Sequence, residues 1–121
     1  MAGNTRQKGS KAEDIAAEYL ASRGFRIIER NFTVRGGEID IIAIDNGVYV
    51  FVEVKSSMVP GFDPIEQVTR RKIRFLKRAA ELYLLKHGLI DRVECRFDVV
   101  TVRFGSGGRT EVRHYRDAFN Y

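Results

Sequence analysis

The 121-residue chain has a single cysteine, two histidines and no tryptophan. One cysteine, Cys95, excludes an intramolecular disulfide and a cysteine-based zinc cluster, and it points to a reducing compartment. The isolated His87 and His114 offer no zinc spacing either. No apolar run approaches the ~20 residues that a membrane-spanning helix needs. Met1 to Lys8 also lacks the apolar segment of a signal peptide, so a cytoplasmic protein with no membrane partner is expected. The glycine-rich stretch Gly105 to Gly108 is followed by no Gly-Lys-Ser/Thr and opens no helix, which excludes a phosphate-binding loop there. There is no internal repeat and no low-complexity linker.

What the chain does have is basic charge. Twenty-one Lys and Arg stand against sixteen Asp and Glu, a net charge of +5, so a polyanionic partner is favoured over a neutral one. The length suits one domain with one core. Residues 1–8 read as a flexible basic tail and residues 9–121 as a single domain. Ser10 is expected to open a helix that closes at Gly24. Strands follow over 25–34, on both sides of Asn46-Gly47, over 93–103 and over 110–115. Asp63-Pro64 is expected to cap a long helix reaching His87-Gly88. The order α-β-β-β-α-β-β predicts an α/β fold with a mixed five-stranded sheet. The long helix acts as the crossover that sets strand four parallel to strand three.

Asn-Gly between apolar runs is a strong hairpin signal. With the turn at Asn46-Gly47, Asp45 pairs with Val48, Asp40 falls opposite Glu53, and Glu38 falls opposite Lys55. Alternation then sends all four charged side chains to one face. Two carboxylates directly across a hairpin repel unless a cation lies between them. Asp40 and Glu53 are therefore candidate ligands of a hard divalent ion, Mg²⁺ or Mn²⁺. The Val54 carbonyl is a further oxygen, and Lys55 is placed to orient water or stabilise phosphate charge. The competing reading is an ion-pair cluster of Glu38 with Lys55, which leaves Asp40 and Glu53 uncompensated.

Two further positions have double readings. Ser10-x-x-Glu13 fits a capping box, yet Glu13 also borders the apolar stripe of its helix. Lys72 falls inside the buried stripe of the long helix, where it either reaches the carboxylates or a phosphate, or snorkels outward. Arg70, Arg71 and Arg74 lie on the opposite face with Lys77 and Arg78, as a solvated surface or a nucleic-acid contact. Asp98, a charge inside a strand, is expected to pair with a neighbouring base.

Asp40 followed by Glu53-x-Lys55 on the next strand resembles the PD-(D/E)xK nuclease motif without its leading proline. Nearly the whole chain resembles the YraN-like bacterial family, related to archaeal Holliday-junction resolvases. The similarity rests on Gly9-x-x-x-Glu13, Gly24-Phe25, Arg30-Asn31, Gly37-Glu38-Ile39-Asp40, Phe51-Val52-Glu53-Val54-Lys55, Lys72, Arg96-Phe97-Asp98 and Ala118-Phe119. The resemblance implies a restriction-endonuclease-like α/β/α core, with Glu13 brought to the metal site beside Asp40 and Glu53. It also matches Lys55 to the catalytic lysine and Lys72 to a basic position in the following helix. Ser57 stands where the family commonly has Arg, so that phosphate contact is either missing or supplied by Arg70 or Arg71. The implied activity is Mg²⁺-dependent hydrolysis of structured or branched DNA by an endonuclease, with a homodimer needed for paired cuts. The alternative is a non-catalytic nucleic-acid-binding module on the same fold. The exposed edge of the sheet and the apolar C-terminal end, Tyr115, Phe119 and Tyr121, are the surfaces suspected of forming the dimer contact.

Overall fold

Asn46 and Gly47 both adopt positive φ, 50° and 82°. That is the backbone of a type I′ turn, whose twist matches the strands it joins. β2 (Gly37–Asp45) and β3 (Val48–Ser57) leave the turn in the expected register, Asp45 opposite Val48 and Ile41 opposite Val52. The computed structural model describes residues 2–119, with side chains from residue 10 onward. β1 (Arg26–Val34) adds antiparallel to β2, β4 (Cys95–Phe104) parallel to β3, and β5 (Thr110–Tyr115) antiparallel to β4. The five strands therefore lie in sequence order in one mixed sheet, and α2 (Arg70–Lys86) is the β3-to-β4 crossover.

The two helices cover opposite faces, which gives the three layers of an α/β/α sandwich. α1 (Ala2–Ser22) sets Ala12, Ala16 and Leu20 on Ile41, Val50, Val52 and Val100. α2 sets Leu76, Ala79, Ala80 and Tyr83 on Ile39, Ile42, Phe51 and Phe97. The alanines on both stripes let each helix sit close to the sheet. Fully burying a side chain the size of Leu20 or Leu76 contributes about 1.5–3 kcal/mol. Phe32 meets Tyr83 edge-on with centroids 5.2 Å apart, which closes the β1 side of the second core.

Two element boundaries differ from the sequence expectation. α1 begins at Ala2, so Ser10 lies inside it and Glu13 has no free helix end to cap. Arg6, Gln7 and Lys8 are good helix formers, and Gly9 costs only about 1 kcal/mol within the run. The side chains of residues 2–9 lie outside the described residues. The long helix is also split. Asp63 caps only a 3-10 turn, Pro64–Gln67, which ends as Val68 turns extended. Thr69 then starts α2 by accepting the Lys72 N–H at 3.1 Å. The extended backbone of Val68 and Thr69 separates the two, and the Thr69 side chain caps the second at its start. No helix of the described residues is long and apolar enough to cross a membrane.

Candidate active site

The alternation along β2 breaks at Asp40. Ile39 lies in the α2-side core and Ile41, two residues on, in the α1-side core. β1 breaks at the same level. Arg30 reaches Glu13 and Asp14 on α1, while Phe32 joins the α2-side core. Between them Asn31 has a left-handed backbone, φ 56°. Pairing runs unshifted across this point, Arg30 with Ile41 and Phe32 with Ile39. Asn31 and Asp40 therefore stand opposite each other in a matched double kink.

The kink opens a fork between β2 and β3. Their ladder ends at Ile41 and Val52, whereas β3 continues alongside β4 to Ser57. Asp40 Oδ2 fills the gap and accepts the Val54 N–H at 2.8 Å. The carboxylate thus replaces a lost strand partner and is fixed at the mouth of the fork. Asp40 remains beside Glu53, as the register predicts. The expectation that Glu38, Asp40, Glu53 and Lys55 share one regular face needs correction. The flip at Asp40 turns Glu38 toward α1, where its charge acts on Glu13. Among the described residues no ion pair joins Glu38 to Lys55.

Glu53 is 3% exposed. Burial, then the hydrogen bond to Asp40 and the charge of Asp40, push its carboxyl up to about 9; Lys72 and Lys55 pull it partly back. Lys72 Nζ reaches inward from the first turn of α2 to 3.5 Å from Glu53 Oε2, so the buried-stripe lysine does find an anionic partner. Even so, Oε2 makes no hydrogen bond. Glu13 approaches from α1 and sits 3.7 Å from Arg30. Burial and the Asp40 charge raise its pKa, while Arg30 and a hydrogen bond from the Asn31 side chain oppose the rise.

At the fork, burial and the neighbouring Asp40 charge therefore raise the pKa of both Glu53 and Glu13. All the donors are oxygens, which suits a hard divalent cation and not zinc. Asp40 and Glu53 would be its ligands, with Glu13 at the rim. Among the described residues no three acidic, histidine or cysteine groups stand close enough to hold a metal ion together, so the structure does not join Glu13 to Asp40 and Glu53 as a third ligand, and water or substrate oxygens would complete the shell. Lys55 is half-buried two residues beyond Glu53. Arg70, Arg71 and Arg74 are exposed on the outer face of α2, away from the acids, and Arg71 lies 5.3 Å over the Phe75 ring.

A second charged cluster is structural. Asp98, fully buried, accepts from Arg96 Nε at 3.0 Å and from the Asp117 N–H at 2.9 Å. His114 Nε2 lies 2.7 Å from its other oxygen, and Arg96 also holds Asp45 at 2.9 Å. This ties β5 and the chain after it to β4 and to the hairpin end. Tyr115 donates to Asp63 and Phe119 packs against Phe97, so these two aromatics are engaged within the domain. Tyr121 lies outside the described residues.

Sequence reasoning singled out Asp40, Glu53, Lys55, Lys72 and Glu13 but gave no role to Asn31. An asparagine in the middle of a strand pattern is the mark that could have found it, because Asn is depleted in strands and enriched in left-handed backbone.

Fold and site together define an α/β protein with a mixed sheet whose fork holds a buried glutamate, Glu53, beside a half-buried aspartate, Asp40, with Lys72 close by. The profile of the family described as "Uncharacterised protein family UPF0102" matches residues 12–102. The chain belongs to that family. It is 47% identical over 117 residues to a UPF0102 protein of Symbiobacterium thermophilum, covering 96% of this chain and 98% of the relative. A UPF0102 protein of Persephonella marina is 41% identical over 114 residues, 93% of each chain. One of Chlorobaculum parvum is 48% identical over 109 residues, 88% of this chain and 83% of the relative.

Proposed function

We propose that the protein is a Mg²⁺- or Mn²⁺-dependent endonuclease of the PD-(D/E)xK type that hydrolyses phosphodiesters in structured or branched DNA. The observation that carries this reading is Glu53: a carboxyl almost wholly buried against a second carboxyl, one oxygen unsatisfied, with Lys72 at 3.5 Å. An arrangement this costly is typical of a functional site and not of a packing device. Asp40 and Glu53 would hold the cation, with Glu13 contributing from α1. Such a cation supplies Lewis acidity and an activated water. Lys55 stabilises the negative charge that grows on the phosphate as water adds. Lys72 counters the charge on Glu53, and Arg70, Arg71 and Arg74 hold the DNA backbone on the outer face of α2. Asp40, fixed by the Val54 N–H, keeps its geometry without help from substrate.

The test is cleavage of duplex, flap, fork and four-way DNA with Mg²⁺ and with Mn²⁺. Wild type is expected to cut at least one branched substrate, and Asp40→Asn and Glu53→Gln to cut none. Tight, salt-sensitive binding with no cleavage by wild type would sink the catalytic reading and leave a binding module on this fold.

A further inference from the structure

Among the described residues, two buried side-chain polar atoms have no hydrogen-bond partner: Glu53 Oε2 and Thr101 Oγ1. Thr101 is fully buried. Their places in the sheet relate them. β3 and β4 pair Glu53 with Val99 and Lys55 with Thr101. Glu53 and Lys55 share a face, so Glu53 and Thr101 are diagonal neighbours on it. It is the α2 face, because Phe51 and Phe97, on the same alternation, both lie in the α2-side core. The Lys72 ammonium enters the same layer, 3.5 Å from Glu53 Oε2 but not hydrogen-bonded to it.

A buried hydroxyl or carboxylate oxygen without a partner carries its whole desolvation cost, and native structures hold few of them. Two on adjacent strands, with a cation beside them, supply the two to four polar partners that an internal water requires. We propose that one buried water bridges Glu53 Oε2 and Thr101 Oγ1 beside the Lys72 ammonium. Thr101 is thereby a positioning residue for Glu53. The bridge fixes the inner oxygen of Glu53 and leaves the other turned to Asp40 and the cation. The effect on metal binding rests on the endonuclease reading above, whereas the bridge itself does not.

Thr101→Val, which is nearly isosteric, separates the alternatives by sign. Replacing a true orphan hydroxyl with a methyl removes a desolvation cost and raises the melting temperature. Replacing a water-bridged hydroxyl lowers it. In metal-free buffer Thr101→Val is expected to melt about 4 °C or more below wild type, with Thr101→Ser close to wild type. In Mn²⁺ calorimetry with uncleavable DNA present, Thr101→Val is expected to bind about 10–100-fold more weakly, and Thr101→Ser to restore affinity. Thr101→Val melting at or above wild type overturns the bridge. Thr101→Val melting low but binding Mn²⁺ as wild type does overturns the positioning role. If wild type binds no Mn²⁺, the endonuclease reading and the positioning role both fail, and the metal-free melting comparison decides the bridge alone.

Discussion

Gly37, the first residue of β2, should be destabilised by a single methyl group. A Cβ placed there would stand 2.7 Å from the Phe75 carbonyl oxygen and 3.4 Å from Ala79 Cβ, both on α2. The oxygen belongs to the helix backbone, so no side-chain rotation relieves the contact, and α2 must retreat by a large fraction of an ångström. Gly37 lies outside the left-handed region, so its backbone accepts alanine without strain. Conformational entropy alone would then make Gly37→Ala stabilising by about 0.4–1 kcal/mol. Overpacking costs about 1–3 kcal/mol and should win. The net destabilisation is about 1–2 kcal/mol, or roughly 4–8 °C in melting temperature. Because α2 carries Lys72, the same retreat should lengthen its 3.5 Å approach to Glu53 and weaken Mn²⁺ binding. Urea unfolding and Mn²⁺ titration read the two effects. Gly36→Ala is the control: at φ +83° it is strained, but no heavy atom lies within 4 Å, so it should lose stability and keep metal affinity. A Gly37→Ala protein as stable as wild type, or more so, would refute the close-approach argument.

Asp40→Asn should retain the acceptor for Val54 and relieve repulsion, so it should match or exceed wild-type stability without metal while losing any metal-dependent rise in melting temperature; calorimetry with and without Mg²⁺ checks both. For Asp98, burial opposes ionisation, but hydrogen bonds from His114, Arg96 and the Asp117 N–H outweigh it and lower the pKa. Its stabilisation is present above the unfolded pKa and lost as pH falls through the lower folded one. Asp98→Asn should therefore cost about 3–5 kcal/mol at neutral pH, and urea midpoints should converge with wild type in strong acid. Charge reversal at Arg70, Arg71 and Arg74 should weaken DNA binding across sequences and flatten its salt dependence by about one unit of log–log slope per lost phosphate contact, measured by fluorescence anisotropy. Paired cutting of a four-way junction needs two sites, so sedimentation with junction DNA should show a dimer, and a strict monomer would favour nicking or binding instead.

Much of this protein is determined by short-range chemistry. Asn46-Gly47 set the turn, and period-two alternation carried that register to Ile41 and Val52, which brought Asp40 beside Glu53. The apolar stripes of both helices and the element order fixed a mixed sheet with a crossover, because strand pairing and helical periodicity are written in neighbouring residues. The inward lysine at 72 was visible as a charge at a buried helical position. Tertiary structure decided the rest. The double kink at Asn31 and Asp40 depends on two strands bending together, so it sends Arg30 and Glu38 to the face that a regular pattern denies them. Glu53 Oε2 and Thr101 Oγ1 are buried without a protein hydrogen-bond partner because α2 and the 3-10 turn close over strands brought together by the crossover. Glu13, which as a local motif reads as a helix cap, comes under the charge of Asp40 through the packing of α1 on the sheet. Sequence spacing sets which residues can share a strand or a helix face. The field and the burial at a site are sums over residues far apart in the chain, and only folding assembles them.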